Sequence, residues 1–236
     1  MQSQGDGGGK KAAGVHAAGM IRDGSVIGLG TGSTVLYAME EISRSISQGM
    51  KVTGVPTSHQ AAIRARAMGI PLATLDDYPV LDLAIDGADQ VDPDLRVIKG
   101  RGAALTREKC VANAARQLVI VADEAKMVGC LDTQVPVEVI PFAATPVARA
   151  VAALGGAPTL REGVKKDGPV ITDNGNFIID CAFGRISSPE RLEYALETIP
   201  GVLSCGIFSG YASKTVVIIG GAGGCRILSP GSVLQR

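Results

Sequence analysis

Five short runs in the first half of this chain are apolar at almost every position: residues 25–30, 52–55, 81–85, 95–98 and 118–122. A strand that is apolar on both faces must be covered on both faces, which a half-solvated antiparallel sheet does not provide. Helical stretches lie between several of these runs. After Ser33, read as an N-cap, Val35, Met39, Ile42 and Ile46 recur at spacings of three and four, one buried helix face. Residues 60–68 and 103–116 are further helical stretches. The alternation predicts a parallel sheet with helices on both sides.

The pattern changes near Val135. Residues 137–142 form a predicted strand, 146–154 a helix closed by Gly155-Gly156, and 159–161 a strand. A strand over 176–183, a helix over 189–198 and a strand over 202–208 follow. The order is β-α-β-β-α-β, the split pattern of a ferredoxin-like α+β module. Two last strands, 216–220 and 225–228, are free to return to the first sheet. The expected division is therefore a discontinuous main domain, residues 1–131 and 209–236, with a smaller domain at 132–208.

Composition narrows the function. Lys+Arg and Asp+Glu are both 23, so no polyanionic partner is implied, and nucleic acid is not expected as one. Aromatic residues are 3% with no Trp, too few for a base-stacking surface. The five cysteines are scattered without a CxxC pair and read as reduced core residues. The start, residues 1–14, is Gly-rich and lacks a signal-peptide apolar region, and no run approaches the ~20 apolar residues of a membrane span. No membrane partner and a cytoplasmic location are expected.

Three polar clusters follow apolar runs: Thr31-Gly32-Ser33-Thr34, Asp86-Gly87-Ala88-Asp89, and Lys99-Gly100-Arg101-Gly102, the last running on to Glu108. Ligands of open parallel sheets bind outside the carboxyl ends of the strands, so the clusters are expected to share one crevice. The first is a poor dinucleotide fingerprint, because Ser33 stands where the last Gly belongs and residues 52–55 lead into Pro56-Thr57-Ser58 with no acid. It suits a small anion better, with hydroxyls, an approachable backbone and a helix N-terminus. Asp86, Asp89 and Asp92 are spaced by three, unlike a calcium loop, and only His16 and His59 exist to make a His-rich metal centre. Taken singly, these motifs also read as a Gly-rich turn, an Asx turn and a solvated helix charge.

Together the clusters resemble the type A family of ribose-5-phosphate isomerases, whose signatures look like TGST, DGADE, KGGG running into TREK, and ADxxK. Here they read residues 31–34, 86–90, 99–109 and 122–126, with residues 135–141 and 172–176 also looking like family segments. The resemblance spans nearly the whole chain in order. It implies a Rossmann-like domain plus a ferredoxin-like one, a sugar-phosphate substrate, no organic cofactor or metal, and a homodimer or homotetramer. It further implies Glu108 as general base, with Thr31, Gly32, Ser33, Thr34, Asp86, Gly87, Ala88, Asp89, Lys99, Gly100, Arg101, Gly102 and Lys126 holding substrate and Lys10 helping with phosphate. Gln90 and Arg101 depart from the pattern. Arg101 replaces a Gly, which puts the geometry of that turn in question if it needs positive φ.

The chemistry expected is interconversion of D-ribose 5-phosphate and D-ribulose 5-phosphate, a step of the non-oxidative pentose phosphate pathway, through an enediolate. Asp86 is the choice for assisting ring opening. Lys109, beside Glu108, is expected to be replaceable by Gln at little cost. The rival readings are a sugar-phosphate deaminase or CoA-transferase-like enzyme, the former expected to need a His relay, and a sugar-phosphate sensor domain, which would need a DNA-binding module.

Overall fold

The computed structural model describes residues 6–221 and 223–231. From the amino end, α1 (Asp6–Ala18) leads to β1 (Ser25–Leu29), α2 (Ser33–Ser47), β2 (Val52–Pro56), α3 (His59–Ala67), β3 (Leu83–Gly87), β4 (Gln90–Val91), β5 (Val97–Ile98), α4 (Leu105–Ala114) and β6 (Leu118–Asp123). Then come β7 (Val135–Val139), α5 (Ala144–Ala153), β8 (Ala157–Leu160), β9 (Phe177–Ala182), α6 (Pro189–Glu197), β10 (Val202–Cys205), β11 (Ile207–Phe208), β12 (Thr215–Gly221) and β13 (Gly224–Leu228).

The main sheet has the order β13-β12-β6-β3-β1-β2, parallel except for β13 at its edge. Alternate residues of β6 show why its sequence is apolar throughout. Val119 and Val121 join one core with residues of α1 and α2, whereas Leu118 and Ile120 join the other with Val111 and Ala112 of α4. Each such fully buried side chain contributes roughly 1.5–3 kcal/mol relative to exposure. The smaller sheet, β10-β7-β9-β8, is antiparallel, with Val147 and Val151 of α5 and Leu196 of α6 in the core beneath it. The fold is thus α/β, a parallel-sheet domain with a smaller ferredoxin-like one.

Four expectations need correction. Ser33 is the first residue of α2, not its cap; Gly32 holds the cap position. The run 95–98 does not join the main sheet. Asp92 Oδ1 accepts from the N–H groups of Asp94 and Arg96, Leu95 turns at φ 63, and the chain folds back so that β5 pairs antiparallel with β4 and β11. The strand expected over 202–208 is broken at Gly206, whose N–H and C=O bond to Pro136 and Lys99. Of the cysteines only Cys181 and Cys205 are buried, and Cys110 is exposed.

Candidate active site

Glycines at two close approaches bring the first elements of the site into place. α1 crosses β12 so closely that a Cβ on Gly220 would lie 1.8 Å from the Gly9 carbonyl oxygen, and this contact sets Lys10 beside β6, with Nζ 3.6 Å from Asp123 Oδ2. The turn after β1 passes over Asp86, where a Cβ on Gly30 would lie 2.2 Å from Asp86 Oδ1. Only glycine allows that approach. It lets Asp86 Oδ1 accept from Thr31 N at 3.3 Å and Gly87 N at 2.8 Å. Thr31 Oγ1 is held in turn by Ser58 Oγ at 2.7 Å.

α2 starts beyond this turn with no side-chain cap and no acid in its first turn. Its leading N–H groups and the hydroxyls of Ser33 and Thr34 therefore make a positive end suited to an anion. They border a cavity of about 480 Å³ lined also by Lys10, Thr31, Gly32, Gly87, Ala88, Asp89, Lys99, Gly100, Arg101, Gly102, Glu108 and Lys126. Every site residue expected from the sequence is brought to this cavity except Asp86, which is 3% exposed and lies beneath it. Gln60 and Asp123 also line it and were not anticipated. Their positions just beyond β2 and at the end of β6 are the signal that could have found them.

At the floor, Lys99 Nζ donates to the Gly87 carbonyl at 2.6 Å and forms ion pairs of 3.1 Å with both Asp86 Oδ2 and Glu108 Oε2. All three side chains are almost wholly buried. Burial works against the Lys99 charge, yet the two carboxylates hold its pKa above the ordinary lysine range. Burial also raises the Asp86 pKa, outweighing Lys99. Glu108 is pushed up to about 7, by burial first and by the Asp86 charge second, with Lys99 pulling the other way. Such a carboxyl is divided between its two protonation states at neutral pH and can both accept and return a proton.

Arg101 does not occupy a strained position. The left-handed residues of its turn are Gly100 (φ 103) and Ala103 (φ 59), and the Arg101 side chain is 84% exposed. Its N–H donates to Asp89 Oδ2 at 3.0 Å. Gln90 binds Asp132, accepting its N–H at 2.9 Å. The segments 135–141 and 172–176 meet each other outside the cavity. Glu138 Oε1 accepts from Thr172 Oγ1, Asn174 Nδ2 and Asn176 Nδ2. Asp173 and Asn174 then anchor α3 and α4, through the His59 N–H and the Arg107 guanidinium. His59 does not line the cavity. Among the described residues, no group of three or more His, Cys, Asp or Glu is placed to hold a metal ion, and no helix is long and apolar enough to cross a membrane.

Residues 53–224 match the family model of ribose 5-phosphate isomerase A (phosphoriboisomerase A). The chain is 57% identical to the ribose-5-phosphate isomerase A of Methanoregula boonei over 95% of both chains. It is 49% identical to that of Thermosynechococcus vestitus, over 89% of this chain and 90% of the relative. Among solved structures, the ribose 5-phosphate isomerase A of Methanocaldococcus jannaschii superposes with a TM-score of 0.89 at 41% identity, covering 94% of this chain and 98% of that one. A D-ribose-5-phosphate isomerase in complex with phospho-erythronic acid gives 0.90 at 46% identity, covering 94% and 97%.

Proposed function

Because the chain belongs to the ribose 5-phosphate isomerase A family, and so is an aldose–ketose isomerase, we propose that it interconverts D-ribose 5-phosphate and D-ribulose 5-phosphate through an enediolate with Glu108 as the base. The observation that carries this reading is a cavity-lining carboxyl whose pKa is pushed up to about 7 by burial. The Glu108 carboxylate takes the proton from C2 of the open-chain aldose. The C–H bonding pair becomes the C1–C2 double bond, and the aldehyde oxygen takes up the negative charge. The hydroxyl proton of C2 passes to O1, and Glu108 returns its proton to C1, leaving the ketone at C2. Lys99 and the N–H groups of the 100–102 turn are fixed donors for the developing charge.

Ring opening, expected of Asp86 from the sequence, is better given to Asp89. Asp86 is buried beneath Lys99, whereas Asp89 lines the cavity and could exchange a proton with the ring oxygen. Asp86 then serves to hold Lys99 and to raise the pKa of Glu108. The phosphate lies at the start of α2, with Thr31, Ser33, Thr34 and Lys10 around it, and Lys126 completes the positive rim. The chain acts in the cytoplasm, in the non-oxidative pentose phosphate pathway. It divides near residues 131 and 209, and copies associate as a homodimer or homotetramer, for which Phe142 and Val164, 96% and 89% exposed, are apolar side chains such contact would cover. Ribulose 5-phosphate formation by the purified chain, measured in a coupled assay after chelation and desalting, is expected at full rate. Lack of turnover would overturn the activity, and recovery only with a divalent ion would overturn the metal-free mechanism.

A further inference from the structure

We propose that Arg161, from the smaller sheet, is a positioning residue for the cavity, fixing the peptide planes of the 100–102 turn so that the Arg101 N–H holds Asp89 and the Gly102 N–H faces the substrate. This rests on reading the cavity as a sugar-phosphate site. Arg161 follows β8 and faces Asp180 of β9. Nε donates to Asp180 Oδ2 at 2.7 Å and Nη2 donates to Asp180 Oδ1, a two-point pair in which both side chains are largely buried. The remaining nitrogen, Nη1, donates to the carbonyl oxygens of Gly100 at 3.1 Å and Arg101 at 2.9 Å.

The guanidinium is a rigid planar fork, so binding Asp180 along one edge dictates where Nη1 points. In a trans peptide the C=O and N–H are directed oppositely, and no cis peptide occurs among the described residues. Holding the Gly100 and Arg101 carbonyls toward Arg161 therefore turns the N–H groups of Arg101 and Gly102 the other way. The first of these reaches Asp89 Oδ2, on the cavity wall, and Gly102 itself lines the cavity. Within the turn the Gly100 carbonyl also accepts from the Ala103 N–H at 3.0 Å, but with glycines at 100 and 102 the Arg101 carbonyl is held by Arg161 from outside, and that tie aims the Gly102 N–H. An ammonium at position 161 could not hold both Asp180 oxygens and both carbonyls at once. Geometry, not charge, is the property required.

The test compares the unsubstituted chain with Arg161→Ala and Arg161→Lys, measuring kcat and KM for ribose 5-phosphate, the dissociation constant of phospho-erythronic acid, and the pH profile. Loss of aimed donors should lower kcat/KM and raise that dissociation constant, each more than about tenfold, in both variants, while the acid limb of kcat/KM set by Glu108 stays in place. A purely structural role would instead lower the rate only in proportion to the folded fraction, leaving kcat/KM per folded molecule and the analogue's dissociation constant unchanged. Should Arg161→Ala fail to fold, Arg161→Lys decides, since it keeps the charge. A change of less than about tenfold in kcat/KM per folded molecule and in the dissociation constant for Arg161→Lys would overturn the proposal. No turnover by the unsubstituted chain would instead overturn the activity, with analogue affinity still reading the tie.

Discussion

Lys99 and Lys109 have nearly the same inventory of partners. Each ammonium meets two carboxylates and one backbone carbonyl, and each lies within 6 Å of the Phe208 ring, at 5.7 and 4.8 Å. Around Lys109, at 2.6–2.7 Å from Glu193, Glu197 and the Ile207 carbonyl, the acids have further donors. Glu193 Oε2 receives the Ser209 N–H at 3.0 Å and its hydroxyl, and Glu197 receives the Ser204 hydroxyl. Around Lys99, Asp86 is supplied by two N–H groups, but buried Glu108 Oε2 has only the ion pair, outside hydrogen-bond geometry. A satisfied cluster ties α4 to α6 and β11; an under-supplied one holds a carboxyl near neutrality. Counting charges does not distinguish them, whereas counting donors does.

The largest test of this contrast is Glu108→Gln. Losing a positioned base should lower kcat on the order of 10² to 10⁴, with phospho-erythronic acid affinity unchanged; near-normal turnover would break the assignment. In the unsubstituted chain kcat/KM should fall as pH drops below about 7, where Glu108 is protonated. The stability effect runs the opposite way from that of a salt-bridged acid. Because its folded pKa is raised above 4.5, the contribution of Glu108 is present below that value and lost as pH rises through about 7. The Tm of Glu108→Gln, relative to the unsubstituted chain, should therefore improve from about pH 5 to about pH 8, and a gap that stays constant would mean that no buried charge was removed.

Lys109→Met comes next. Removing the ammonium strands two carboxylates, one of them largely buried, and should cost about 3 kcal/mol in urea unfolding, while KM of the folded enzyme holds. The expectation that Lys109→Gln costs little is put to the same test, against the three contacts the ammonium makes. A loss of turnover without a loss of stability would erase the distinction between the two clusters. The smallest effect belongs to Arg101→Gly. With its side chain in solvent and its Nε 3.8 Å from Asp89, the pair is weak. KM should change less than about tenfold, or ~1.4 kcal/mol; a larger change would make Arg101 a phosphate ligand.

What could be read from the sequence was whatever is encoded locally. The face of α2 repeats within a few residues, β6 is apolar throughout because both of its faces are covered, and the site turns sit where strands end. The β4–β5 hairpin was not legible, since strands this short exist only by pairing with Ile207 and Phe208, far along the chain. The burial of Lys109 depends on α6, and the aim of the 100–102 turn depends on Arg161; neither leaves a mark beside the residue it controls. Glu108 was legible as a candidate through its motif, but its raised pKa comes from burial and from the charge of Asp86, which only the folded chain brings to it.

The crossing of α1 over β12 has a consequence for how the enzyme comes into being on the ribosome. Lys10 is among the first cavity residues synthesised, yet the strand its helix rests on is among the last. Chains grow from the amino end at about 5–20 residues per second, so α1 meets α2 and β6 early but its last neighbour, β12, only after the 135–205 segment is made. A nascent chain stopped before Thr215 carries every cavity residue but lacks the strand that Gly9 packs against, so the helix bearing Lys10 is supported on α2 and β6 alone. Lys10 thus gains its last support only when translation is nearly complete, and truncation late in the chain is felt at a residue near its start.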